Sequence, residues 1–229
     1  MRPDPTILAF DTSAAHCAAA LLSDDVIRAE RHEALARGQA ERLMPMLEEM
    51  LAEAGKQWAD LDAVAVGVGP GNFTGIRISV AAARGLGLAL RVPVIGVSSF
   101  EIMRGLDAGL QEANELVSVA APRGQAYVQH LRKGTPQDQP RLIEVANPPQ
   151  DIRLPVNMVV TGYRADEIAA KFNARANPTE MQDIGACIAR RAEWRLVFDK
   201  EVPERPTPLY VRAPDAAPPK HDAPVILNG

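Results

Sequence analysis

The stretch DAVAVGVGPGNFTGIRISVAAARGLGLALRVPVIGV, residues 62–97, decides the fold. Its first eight residues are an apolar run too short for a helix and read as a mostly buried strand. GPGNFTG (69–75) is the loop that leaves this strand, in which Gly69 and Gly71 can take backbone conformations closed to other residues and Pro70 stiffens the turn. A helix follows from about Thr74 to Leu90. Ile76, Val80 and Leu86 supply its bulk, whereas Ser79, Ala82, Ala83 and Gly87 put small side chains on adjoining faces, where another backbone can approach closely. Arg91-Val92-Pro93 ends the helix, and VIGV (94–97) is the next strand.

Upstream, TILAF (6–10), HCAAALLS (16–23) and VIRAERHE (26–33) are three strands joined by the turns Asp11-Thr12-Ser13 and Ser23-Asp24-Asp25, so they pair as an antiparallel meander. Between Gln39 and Ala54, Leu43, Met46, Leu47, Met50, Leu51 and Ala54 recur at helical spacing. Pro45 belongs to the first turn or a bend, and Gly55 is the stop. Downstream, Ser98 or Ser99 caps a helix over SFEIMRGLDAGL, 99–110. The order β-β-β-α-β-α-β-α predicts a mixed five-stranded sheet flanked by helices.

The second half is a less regular echo. Strands are predicted at 116–120, 126–131, 141–146 and 158–163, and helices at 165–172 and 181–194, with a turn at Pro122-Arg123-Gly124-Gln125. Two β-β-β openings in tandem imply duplication of one architecture. Residues 203–224 hold seven prolines, and LYVR (209–212) is their only strand-like segment, so Tyr210 is expected to dock back and the chain beyond Arg212 to be loose. The expected division is a first lobe over 1–107, a second over 108–212 and a flexible tail over 213–229.

The chain has 229 residues, 47% hydrophobic and 24% charged, which is an ordinary globular composition; with 4% aromatics its core must be mainly Ala, Val, Leu and Ile. Residues 1–110 carry 14 acids and 10 bases, and 111–229 carry 15 of each. Neither half has the basic excess of a protein that holds nucleic acid alone. Cys17 and Cys187 fit neither a disulfide framework nor a CxxC metal site, the N-terminus lacks a signal-peptide apolar region, and Arg77, Arg84 and Arg91 interrupt the most apolar stretch. A reduced, cytoplasmic setting is expected.

Two readings of the glycine loop stay open: the amides from Asn72 to Gly75 cradle an anion at the helix N-terminus, or the loop is an ordered connection packed against a neighbour. A Walker loop fails because Ile76 stands where lysine is needed, and a dinucleotide fingerprint fails at Thr74. Asp11 can hold hydrated Mg²⁺ or simply cap its turn. His32-Glu33 begins a zincin motif that Ala36 breaks, and Gly96-Val97-Ser98-Ser99 a nucleophile elbow that Phe100 breaks. His16, His130 and His221 are isolated in sequence. Arg77 and Arg84, seven apart, face an anionic partner, the acids of the 43–51 helix, or solvent; Met44, Met46 and Met50 add an adaptable apolar surface.

ILAFDTS (7–13), AERLMPMLEEMLAEAG (40–55), AVAVGVGPGNFTGIRISVAAARGLGLAL (63–90) and PVIGVSSFE (93–101) together resemble the TsaB (YeaZ) family, with looser similarity at 123–127, 161–162 and 208–212. The resemblance implies an actin-like (ASKHA, RNase H-like) α/β fold of two duplicated lobes. It also implies a noncatalytic subunit of the bacterial machinery that makes N6-threonylcarbamoyladenosine at position 37 of tRNAs reading ANN codons. Such a subunit pairs with TsaD, which passes on the threonylcarbamoyl group, and is joined by the ATPase TsaE, after TsaC has made the adenylate. It lacks the metal-binding histidine pair of TsaD. No intrinsic cofactor or metal is then expected: ATP and Mg²⁺ belong to the partners, with a nucleotide near the interface, and tRNA is met through the complex.

The implied partner surface, for TsaD or for a second copy in isolation, is Met44, Leu47, Met50 and Leu51 on one helix and Ile76, Arg77, Ser79, Val80, Ala83, Arg84 and Gly87 on the next. Gln39 replaces a histidine found in many relatives, and Ala121-Pro122-Arg123 replaces Asp-Ala-Arg, which weakens independent metal or hydrolase chemistry further. The rival reading is an actin-like small-molecule kinase or ATPase, with Asp11 and the loop residues Gly69, Gly71, Thr74 and Gly75 as its site.

Overall fold

The computed structural model describes residues 4–105, 114–149, 152, 155, 157–198 and 205–211. The expected tail, 213–229, and the second half of the helix expected over 99–110 lie outside the described residues.

β1 (Ile7–Asp11), β2 (His16–Ser23) and β3 (Val26–Ala34) form the antiparallel meander. α1 (Gln39–Glu53) then leads to β4 (Ala63–Gly69), α2 (Phe73–Leu90) and β5 (Val94–Ser98), giving the order β3-β2-β1-β4-β5 with β1/β4 and β4/β5 parallel. Alternation along β1 serves both faces. Leu8 and Phe10 meet Leu43, Met46, Leu47 and Met50 of α1 and Ile76, Val80 and Ala83 of α2, whereas Ile7 and Ala9 look to the opposite side. Each such fully buried large side chain contributes about 1.5–3 kcal/mol.

α3 (Ser99–Arg104) starts on a capping box in which the Ser98 hydroxyl accepts from the Glu101 amide and the Glu101 carboxylate accepts from the Ser98 amide. The second lobe repeats the first: β6 (Asn114–Ala120) and β7 (Ala126–Arg132) are antiparallel, β10 (Val159–Gly162) lies parallel to β6, α4 (Ala165–Phe172) crosses over, and β11 (Arg175–Pro178) is parallel to β10. β8 (Thr135–Pro136) and β9 (Arg141–Ile143) both pair with β7. β11 was not expected from the sequence, because Arg-Ala-Asn-Pro is an edge strand with no buried residue to leave a hydrophobic pattern.

The lobes exchange their last helices, each of which packs on the other lobe's side. α5 (Ile184–Phe198) follows β11, yet Ile184, Cys187, Ile188, Ala189 and Ala192 pack on Ile7, Ala9, Ala18 and Leu22 of the first sheet. The approach is close, since a Cβ on Gly185 would stand 2.5 Å from the Ala19 carbonyl carbon. Reciprocally, Phe100 and Met103 of α3 join Val117, Val119 and Tyr127 of the second. A helix that follows an edge strand buries its apolar stripe where a sheet face is still bare, whichever lobe supplies it. Segment 205–211 ties the lobes again: the Leu209 amide donates to the Val68 carbonyl at 2.8 Å, Leu209 packs on the second-lobe cluster, and Tyr210 docks on Phe73 with ring centroids 4.9 Å apart.

Candidate functional site: the interlobe cleft and the outer face of α2

Asp11 ends β1 at the mouth of the cleft and is 1% exposed. Its Oδ1 accepts from the Ser13 amide at 2.9 Å, the Ser13 hydroxyl at 2.8 Å and His16 Nε2 at 2.8 Å. Its Oδ2 has no hydrogen-bond partner among the described residues and lies over Gly67, where a Cβ would come within 1.9 Å of it.

The β1–β2 turn and the glycine loop are tied to each other. The Asn72 amide donates to the Ser13 carbonyl at 2.6 Å, and the Thr12 hydroxyl donates to the Gly75 carbonyl at 2.7 Å. Asn72 caps α2, its side-chain oxygen accepting from the Gly75 amide at 3.0 Å. Hypothetical Cβ atoms on Gly71 and Gly75 would lie 2.4 Å from the Ser13 carbonyl oxygen and 1.9 Å from that of Thr12. The left-handed backbone expected of Gly71 belongs to Gly69 alone, at φ +89; Gly71 is needed for close approach. Thr74 is exposed, outside these contacts.

The loop residues leave little room for a nucleotide phosphate. The Asn72 and Gly75 amides are already taken, Ser13 fills the space between the loops, and one Asp11 oxygen carries three donors while the other faces a backbone carbon. These contacts favour the reading of the loop as an ordered connection. Beyond it the lobes enclose a cavity of about 860 Å³, lined by Asp11, His16 and His32 from the first lobe and Tyr127, Tyr163 and Arg164 from the second.

The histidines divide. His16 and His32 converge, with ring centroids 5.1 Å apart; His130 meets Asn114 on the second sheet; His221 lies outside the described residues. Strand parity carries the signal for the first pair, because in the antiparallel register His32 faces Ala18, two residues from His16 on the same side of the sheet. Among the described residues no group of three His, Cys, Asp or Glu side chains converges. Burial is the main cause that pushes the Cys17 thiol up to about 11, with Glu33 adding to it, so it is no nucleophile at neutral pH.

The partner surface read from the sequence is also corrected. Leu47, Met50, Leu51, Ile76, Ser79, Val80, Ala83 and Gly87 are all buried against the chain's own sheet. The small residues spaced by four serve contact of α2 with the sheet rather than with another helix: the Ser79 hydroxyl donates to the Gly67 carbonyl of β4 at 3.4 Å, and a Cβ on Gly87 would meet Val94 at 2.2 Å. Exposed instead are Arg77, Ala81, Arg84, Gly85, Leu88 and Ala89, with Met44 half-buried on α1. Leu88 is 80% exposed. Arg77 lies over the Phe73 ring, 5.2 Å from its centroid, while Glu49 and Glu53 of α1 are taken by Arg42 and Arg31. Two hydrogen-bonded carboxylates hold Arg42 protonated, and Arg42 in turn lowers the pKa of Glu33 and of Glu49. α2 is long and apolar enough to cross a membrane by length and composition, and 33% of that window is buried inside the protein.

Duplicated lobes around a cleft, with a carboxylate ending the first strand, define a two-lobed actin-like protein whose cleft loops are closed on each other. A family model described as TsaD, tRNA N6-adenosine threonylcarbamoyltransferase, matches residues 32–140. An uncharacterized protein of Mycobacterium tuberculosis is 36% identical over 216 residues, covering 93% of this chain and 94% of that protein. The tRNA threonylcarbamoyladenosine biosynthesis protein TsaB of Escherichia coli is 36% identical over 122 residues, 53% of this chain and 52% of its own. A Pseudomonas aeruginosa crystal structure, described as an uncharacterized protein with similarity to peptidase YeaZ, superposes with a TM-score of 0.68 at 25% identity, covering 91% of this chain and all of that one. The chain belongs to the TsaB/YeaZ family.

Proposed function

We propose that this chain is a noncatalytic accessory subunit of a tRNA threonylcarbamoyladenosine machinery, and that it docks a TsaD-type subunit through the outward faces of α2 and α1. The observation that carries the reading is Leu88, 80% exposed among Ala81, Gly85 and Ala89 on a helix whose other face already packs on its own sheet. An apolar patch bordered by Arg77 and Arg84 is the kind of surface another protein covers.

In this reading a second copy takes the same face when the catalytic subunit is absent, and TsaE joins the assembled pair. ATP and Mg²⁺ stay on those partners, with any nucleotide near the interface, in a cytoplasmic setting. The tied cleft loops support a scaffold over a kinase or ATPase, and the formal charge of -4 supports tRNA being met mainly through the complex.

The test is Leu88→Asp, read by calorimetric titration with TsaD and by modified adenosine formed in the reconstituted reaction. Binding and modification should both fall at least tenfold with the circular dichroism spectrum unchanged. A folded L88D protein that binds TsaD with wild-type affinity overturns the placement of the surface.

A further inference from the structure

We propose that the outer face of α1 and α2 is self-complementary in charge: in a two-fold pair of this chain, α1 of each copy lies along α2 of the other, with Glu41 facing Arg77 and Glu48 facing Arg84. The proposal rests on the reading of this face as a docking surface and commits it to a second copy in one orientation.

The first support is the sorting of charge on the two helices. Toward β3, the α1 acids are taken: Glu49 pairs with Arg42, and Glu53 with Arg31. Glu41 and Glu48, seven residues apart on another stripe of α1, are exposed and pair with no base among the described residues. On α2, Arg77 and Arg84 are also exposed and seven apart, and among the described residues neither pairs with an acid. Seven residues are about 10.5 Å of helix axis, so the two acids and the two bases repeat at the same distance.

The second support is direction. β3, β4 and β5 all run the same way, since β3 and β1 are both antiparallel to β2 and β4 is parallel to both β1 and β5. α1 joins β3 to β4 and α2 joins β4 to β5, so both helices return against the strands and run in the same direction from the same end of the sheet. A two-fold axis parallel to the helices therefore lays α1 of each copy along α2 of the other, again in the same direction. A two-fold axis across the helices would instead lay α1 on α1 and α2 on α2, setting acid against acid and base against base.

The third support is register. The offset of 36 residues that sets Glu41 against Arg77 also sets Glu48 against Arg84, and the helix starts at 39 and 73 are within two residues of it. Between the charges the same offset places Pro45 against Ala81, and beyond them it places Ala52 against Leu88, the most exposed apolar side chain of α2. Apolar positions thus meet apolar ones wherever acids meet bases, and the charges fix both partner and register.

The full-length protein alone is followed by sedimentation velocity over a range of concentrations, at about 50 and about 500 mM salt. A dimer is expected whose dissociation constant rises at least tenfold at the higher salt. E41R with E48R makes both stripes basic, and R77E with R84E makes both acidic. Each double variant should self-associate at least tenfold more weakly with an unchanged circular dichroism spectrum. An equimolar mixture of the two should regain wild-type pairing as a one-to-one hetero-pair, because every facing charge is again opposite. The single variants Glu48→Arg and Arg84→Glu, alone and mixed, should repeat the pattern on a smaller scale and replace any double variant that does not fold. A wild-type chain that stays monomeric at low salt, reversed variants that dimerise as wild type, or a mixture that does not pair would each overturn the proposal. TsaD is absent from all these measurements, so their outcome is separate from that of the L88D titration.

Discussion

Gly67 and Asp11 form one contact between adjacent parallel strands: the carboxylate of Asp11 lies where any side chain at 67 would have to go. The three donors on Asp11 Oδ1 prevent it from yielding, so Gly67→Ala should cost about 1–3 kcal/mol through overpacking. Urea denaturation reads this as a lower midpoint at unchanged slope, and a wild-type midpoint would show that Asp11 relocates freely. The same logic applies at Gly71 and Gly75, whose space is taken by the carbonyls of Ser13 and Thr12 rather than by a ligand. Glycine-rich loops invite a phosphate reading because bare backbone can approach an anion; here it approaches another segment of the chain.

At the scale of the element, α2 shows why small residues on a helix do not identify its partner. Residues 79, 83 and 87 recur at four and face the sheet; 77, 81, 84, 85 and 88 face outward, and the hundred-degree step per residue separates the two sets. Ala83→Trp is therefore expected to destabilise the fold by about 1–3 kcal/mol or more, because its site is fully buried. Ala81→Trp is expected to leave the melting temperature within a degree or two and, on the proposed docking surface, to abolish binding of TsaD by steric exclusion. Differential scanning fluorimetry and calorimetric titration on both variants separate these outcomes. A destabilised A81W beside an unperturbed A83W would reverse the assignment of the two faces.

For the molecule as a whole, the exchange of helices couples the lobes. α5 supplies much of the cover for one face of the first sheet, and α3 closes part of the second lobe's core, so neither lobe owns a complete core over its own stretch of chain. Calorimetric unfolding should show one transition whose van't Hoff and calorimetric enthalpies agree. Ile188→Ala, which opens a cavity under α5, should lower that single transition by about 2–5 kcal/mol without splitting it. Two resolved transitions in the wild-type protein would mean that the lobes fold independently.

The sequence by itself determined the order of elements in the first lobe, the two-lobed duplication and the family, because each rests on short-range information: apolar periods, turn residues and the contiguous run from residue 63 to 101. It also carried the failure of the nucleotide and hydrolase motifs, since each depends on a residue at a fixed offset. Only the tertiary structure decided which face of α2 is free, that α5 belongs with the first sheet, that Gly71 is required for proximity rather than for its φ, and that His16 meets His32. These are contacts between segments distant in sequence. Helical spacing shows which residues share a face, but which of two faces a sheet takes depends on the sheet surface left bare when the whole chain has packed.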